Sequence, residues 1–172
     1  MTFLRKRKWV TGLLVLGLVL MGTLLWNTPT PALAQDNPGR ATPSGANLEI
    51  FYEREQLVAD RQGEALQRTG DAVAWVEDLI ARLQDEGFDT ADLEAALATY
   101  QNGVADAQAA HGSAVGILNA HAGFDNAGNV TDFSQALQTV RDAGQYLRET
   151  HLKLRGANLD LRQALRAWRD AH

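Results

Sequence analysis

From residue 47 onward, apolar side chains recur at helical spacing in three separate stretches. In the first, 47–86, Phe51, Val58, Ala65, Ala72 and Leu79 return every seven residues. Leu48, Val76 and Leu83 form a second row, and Tyr52, Ala59, Leu66, Val73 and Ile80 widen the stripe. The register passes unbroken through Gly70, which predicts one helix rather than two. Glycine there costs about 1 kcal/mol against alanine, and Asp71 is a capping residue type, so Thr69-Gly70-Asp71 is expected to kink the helix at most.

Gly87 has the residue type that closes a helix in the left-handed conformation. Asp89 then suits the N-cap of a second helix, with Asp92 three residues on and Phe88 positioned to staple onto Leu93. The second stripe runs Leu93, Leu97, Tyr100, Val104, Ala107, His111, Ala114, Leu118 and His121. Residues 122–130, AGFDNAGNV, are turn-rich. Thr131 or Asp132 caps the third helix, with Gln135 completing the box after Asp132. That helix has the clearest pattern: Phe133, Leu137, Val140, Gly144, Leu147, His151, Leu154, Asn158, Leu161, Leu165 and Trp168 alternate in steps of four and three. Such a register predicts a coiled-coil seam.

Short connections make neighbouring helices antiparallel. The expected fold is all-α: an elongated, antiparallel up-down-up bundle of about three long helices over 47–172. A four-helix bundle is the alternative, formed by a reversal at Gly70 or by pairing of two copies.

The first 34 residues read differently. Arg5-Lys6-Arg7-Lys8 precedes an uncharged apolar run from Trp9 to Trp26, then Pro29, Pro31 and the small-x-small site Ala32-Leu33-Ala34. This order predicts a signal peptide cleaved after Ala34, with a retained membrane anchor as the alternative. Residues 35–46, QDNPGRATPSGA, read as a flexible linker. Cleavage removes both methionines and four of the 16 basic residues, leaving 12 against 21 acids. With no cysteine, export brings no disulfide framework. The acidic balance argues against nucleic acid and against anionic membrane surfaces, so a membrane is expected only through an uncleaved N-terminal segment.

Charge is unevenly shared: residues 47–86 carry four Arg and ten acids, 89–121 four acids and no base, and 131–170 seven bases and five acids. The expectation is that this orders the helices within the bundle.

Candidate chemistry lies in polar residues on the core stripes. Antiparallel stacking about residue 88 sets His121 level with Glu55, a candidate buried pair, and His111 near Gln62 and Thr69. With His151 and Asn158 these make a candidate polar pocket. The same stacking separates His111 from His151 by some nine residues, roughly 13 Å, which argues against a shared metal. The third helix brings Trp168 to the first turn, where it should close the bundle end against Phe88 and Leu93.

No HExxH, Glu-x-x-His pair, CxxCH or GxSxG occurs. The 125–132 loop fails the EF-hand template, with Ala127 at a ligand position and Val130 at the glycine. No cofactor, metal or catalytic residue is expected. The sequence therefore points to a non-enzymatic exported module for binding, scaffolding or spacing, secreted or periplasmic, acting with an unidentified protein partner or by self-association. The second reading is a small-ligand carrier with a polar-lined pocket inside the bundle.

Overall fold

The computed structural model describes residues 44–172. The signal-peptide assignment and most of the linker lie outside the described residues. The chain forms an all-α bundle of three helices: α1 (Gly45–Asp85), α2 (Ala91–Ala120) and α3 (Phe133–Ala171). Among the described residues there is no strand, only an isolated bridge between Phe124 and Val130.

α1 starts two residues earlier than its apolar pattern, because the Ser44 carbonyl accepts the N–H groups of Asn47 and Leu48. It continues through Gly70 without a break. The hydroxyl of Thr69 donates to Leu66 O at 2.6 Å, inside its own helix. At the C-terminus Gly87 takes φ 82. Its N–H donates to Gln84 O at 2.8 Å and that of Phe88 to Leu83 O at 3.0 Å. This is the paired closure that glycine past a helix end permits.

Asp89 Oδ1 accepts the Ala91 N–H. The buried Thr90 hydroxyl accepts from Gln84 and donates to Glu94 Oε1. At α3, Asp132 Oδ1 accepts the Gln135 N–H at 3.0 Å, the cap expected from the sequence.

The helices contribute to two compact units. One contains Ala65–Ala107 and Leu152–His172. Its core is built of large aliphatic and aromatic side chains: Val76, Leu79, Leu83, Leu93, Tyr100, Leu161, Leu165 and Trp168 among them. α2 and α3 come close where Gly103 faces Ala157, since a Cβ on Gly103 would stand 2.9 Å from that of Ala157. Trp168 is 5% exposed and its ring meets Phe88 edge-on at 5.8 Å. Its Nε1–H donates to Asp89 O at 2.9 Å. Leu93 lies in the same core. The ring of His172 stacks on the indole at 4.6 Å.

The other unit contains residues 44–64 and Gln108–His151. Small residues make up nearly half of its core: Ala59, Ala114, Ala136 and Ala143 pack with Leu48, Tyr52, Leu118, Phe124 and Leu147. Tyr52 stacks on Phe124 with ring centroids 4.2 Å apart. Two aromatic positions depart from the expected stripes. Phe51 and Phe133 are 38% and 42% exposed. At this level of α1 the buried row passes through Leu48, Tyr52 and Ala59 instead.

Candidate functional site

The polar side chains singled out by the sequence divide between the two units. Thr69 and Asn158 belong to the leucine-rich unit, and Gln62, His111 and His151 to the small-residue unit. Thr69 and Asn158 are each held by a carbonyl of their own helix, Leu66 O and Leu154 O at 2.8 Å. Ser, Thr and Asn side chains inside helices satisfy themselves in this way when no partner lies across the interface.

The candidate site is therefore the small-residue unit. Here α1, α2 and α3 are joined by side chains that reach main-chain carbonyls of another helix. Tyr52 Oη donates to Leu118 O at 2.8 Å. Gln62 Nε2 donates to Leu147 O at 2.9 Å. His111 Nε2 lies 2.9 Å from Ala59 O. A carbonyl only accepts, so this contact puts the imidazole proton on Nε2. A helical carbonyl has a second lone pair beside the one used in its ladder, so each bond forms without breaking the helix.

Small side chains permit these approaches. A Cβ on Gly63 would lie 3.5 Å from His111 Cε1, and one on Gly144 only 3.2 Å from Glu55 Oε1. Glu55 is half-buried on α1. Burial raises its carboxyl above the usual range, opposed by the charges of Arg54 and Arg148. Gln62 Oε1 has no hydrogen-bond partner although it is buried. An unmet buried acceptor costs about 1–3 kcal/mol.

Two sequence expectations are corrected by this geometry. Glu55 and His121 do not pair. Glu55 faces Gly144 on α3, whereas His121 lies past the end of α2, with φ 38 and Nδ1 2.9 Å from Asn119 O. In this unit Tyr52 meets Leu118 and Ala59 meets His111, so level residues of α1 and α2 have numbers totalling 170. Stacking about residue 88 implies 176, which displaces every inferred partner by several residues.

The second correction concerns height between α2 and α3. Thr139 Oγ1 donates to Ala122 O at 2.8 Å, and Gly123 lies against the Ala136 N–H. Level residues therefore total about 260, which sets His111 near residue 149, within a turn of His151. The separation of nine residues was wrong because α3 begins alongside the loop. Its first two turns pack on residues 122–124 before it reaches the end of α2. Height alone thus does not keep the two imidazoles from one ion. Among the described residues, however, no group of three or more His, Asp or Glu side chains is placed to hold a metal.

The 122–130 loop uses its acid internally. Asp125 Oδ1 accepts the N–H groups of Ala127 and Asn129, both at 2.9 Å, and the Asn129 amide bridges both carboxylate oxygens. These bonds, first those from Asn129, hold the Asp125 carboxyl below its usual range. Gly123 and Gly128 turn the chain at φ 85 and 83.

The sequence marks Gln62 as a polar core residue without indicating its acceptor, and does not single out Tyr52 as a cross-helix donor. Their signal was present as polar atoms on a buried row, but their acceptors are carbonyls, which no residue type marks. No helix among the described residues is long and apolar enough to cross a membrane. No protein-family model, curated protein or solved structure matches this chain at a significant level.

Proposed function

We propose that this chain is exported and acts outside the cytoplasm as a non-enzymatic helical module for binding, scaffolding or spacing, its helices packed up-down-up along coiled-coil seams. The observation that supports the reading best is the use made of the buried polar groups. Tyr52, Gln62 and His111 each engage a backbone carbonyl on a neighbouring helix. Side chains held this way fix helix register. Export rests on the basic start, apolar run and small-x-small order of residues 5–34.

Native mass spectrometry of the protein purified from its own source tests this reading. The expected species begins at Gln35 and carries no adduct. A species retaining residue 1 would replace export by anchoring, and a stoichiometric small-molecule adduct would replace the module by a carrier. The carrier reading has one observation behind it, the unpartnered Gln62 Oε1. Against it, that oxygen is closed off, so a ligand would have to part the helices to reach it.

A further inference from the structure

The outer face of α3 in the leucine-rich unit has a chemistry that neither its core nor the module reading uses. Leu152 and Leu159 are 57% and 52% exposed, although both are large and apolar. They stand seven residues apart, so they lie on one face of the helix. Arg155 and Arg166, three and seven residues from these leucines, share that face and are exposed. Neither arginine makes a hydrogen bond or ion pair among the described residues. Arg162 continues the row, half-buried and engaged within the protein. Between 152 and 166 the one acid is Asp160, about 100° round the helix from Leu159.

α1 provides a contrast inside the other unit. Ile50 and Leu57 are also exposed at seven-residue spacing, with Arg54 and Arg61 interleaved. There the carboxylates of Glu53, Asp60 and Glu64 run alongside. The α3 face has the same apolar spacing with fewer acids beside it: Asp160 to one side, and Asp170 one turn past Arg166, paired with Arg169.

Two ligand classes complement exposed leucines flanked by unpaired guanidinium groups: an acidic helix or an anionic lipid surface. A partner helix would have to bury guanidinium groups along its contact seam, because three of the five positions 152, 155, 159, 162 and 166 are arginine. Desolvating charges in this way is costly even when they are paired. At a lipid interface the leucines enter the acyl boundary while the guanidinium groups stay hydrated against phosphates. We propose that the Leu152–Arg155–Leu159–Arg166 face of α3 docks on anionic phospholipid surfaces. The net acidity of the chain does not prevent this, since charges on other faces are screened beyond about 8 Å at physiological salt. This proposal goes beyond the module reading, which stands or falls separately on the mature N-terminus and bound adducts.

The chain has no cysteine, so Gln163→Cys in the full-length protein accepts one polarity-sensitive dye on this face. A local dye reports α3 itself, whatever the N-terminal segment does. Vesicles of phosphatidylglycerol should shift the dye to the blue at physiological salt, and pure phosphatidylcholine vesicles should not. Arg155→Gln with Arg166→Gln should lower the docked-to-undocked ratio roughly 25-fold, from about fivefold per arginine near an anionic surface. Leu152→Ser with Leu159→Ser should lower it by about tenfold. An absent shift on phosphatidylglycerol, equal shifts on both lipids, or a shift that survives the arginine substitutions would each overturn the proposal. A shift given by polyglutamate and not by vesicles would assign the face to an acidic protein and overturn it equally.

Discussion

The two units hold the same three helices by different means. Around Val76, Leu93, Leu161 and Trp168, large side chains fill the interior. Around Ala59, Ala114 and Ala143 the side chains are small, and the contacts are completed by Tyr52, Gln62 and His111 reaching carbonyls. Hydrocarbon burial is non-directional and scales with area, whereas a hydrogen bond to one carbonyl has one correct axial position. The contrast separates two tasks: the leucine-rich unit supplies cohesion, and the small-residue unit supplies register.

The largest expected break in this division comes at Trp168. Trp168→Ala removes the indole between Phe88 and the α2 start together with its bond to Asp89 O, and should cost about 3–5 kcal/mol in urea unfolding. Unchanged stability would mean that the end of α3 contributes no cohesion.

Next is Gly123, where the small-residue unit should be most sensitive. It has φ 85, and a Cβ there would lie 2.1 Å from Ala136 N. Gly123→Ala should cost about 2–4 kcal/mol, combining left-handed strain with a backbone clash. Gly112→Ala, where a Cβ meets nothing within 4 Å, is the control expected to be neutral or stabilising.

Gln62→Met sharpens the contrast. It deletes the bond to Leu147 O and also the unpartnered Oε1, two effects of opposite sign. Stability should change by no more than about 1 kcal/mol, while exchange of the core amides in 143–151 should quicken as register loosens. A loss above about 2 kcal/mol would make this unit cohesive in its own right.

The smallest effects concern protons. The folded state raises the Glu55 carboxyl above its usual 4.5, so it holds the proton more tightly than the unfolded chain does. Its contribution favours folding below pH 4.5 and is lost as pH rises through the folded value. Glu55→Gln should therefore raise the neutral-pH melting temperature slightly and flatten this part of the pH profile. Asp125 runs the other way: its carboxyl is held below 3.8, so its contribution is present above 3.8 and lost as pH falls through the folded value. Thermal melts across the acid range, compared with Asp125→Asn, resolve the two signs.

These contrasts also mark what the sequence made legible. Periodicity gives the angle of a side chain around its helix, and it located Leu93, Leu161 and Trp168 on buried faces. Residue types at helix ends are equally informative, as Gly87 and Asp132 illustrate. Axial offset is different. It depends on how closely backbones approach and on how a loop folds, and the alanine- and glycine-lined contacts of the small-residue unit allow several offsets. The partner of Glu55 and the height of His151 were misplaced for this reason. Phe51 went astray because two adjacent rows of α1 are both apolar, and only packing selects Tyr52.

The bonds to Ala59 O, Leu118 O and Leu147 O have a consequence for how such a chain evolves. Only the donor end of each bond is encoded in a side chain. The acceptor is an atom that every residue carries, so the bond from Gln62 places no demand of its own on residue 147, whose side chain answers only to the packing of the core. Positions joined in this way need not change together. Chains descended from this one would keep a tyrosine, a glutamine and a histidine while the acceptor positions varied among residues that the core can pack. Pairwise covariation would then be blind to the contacts that set the helices' alignment.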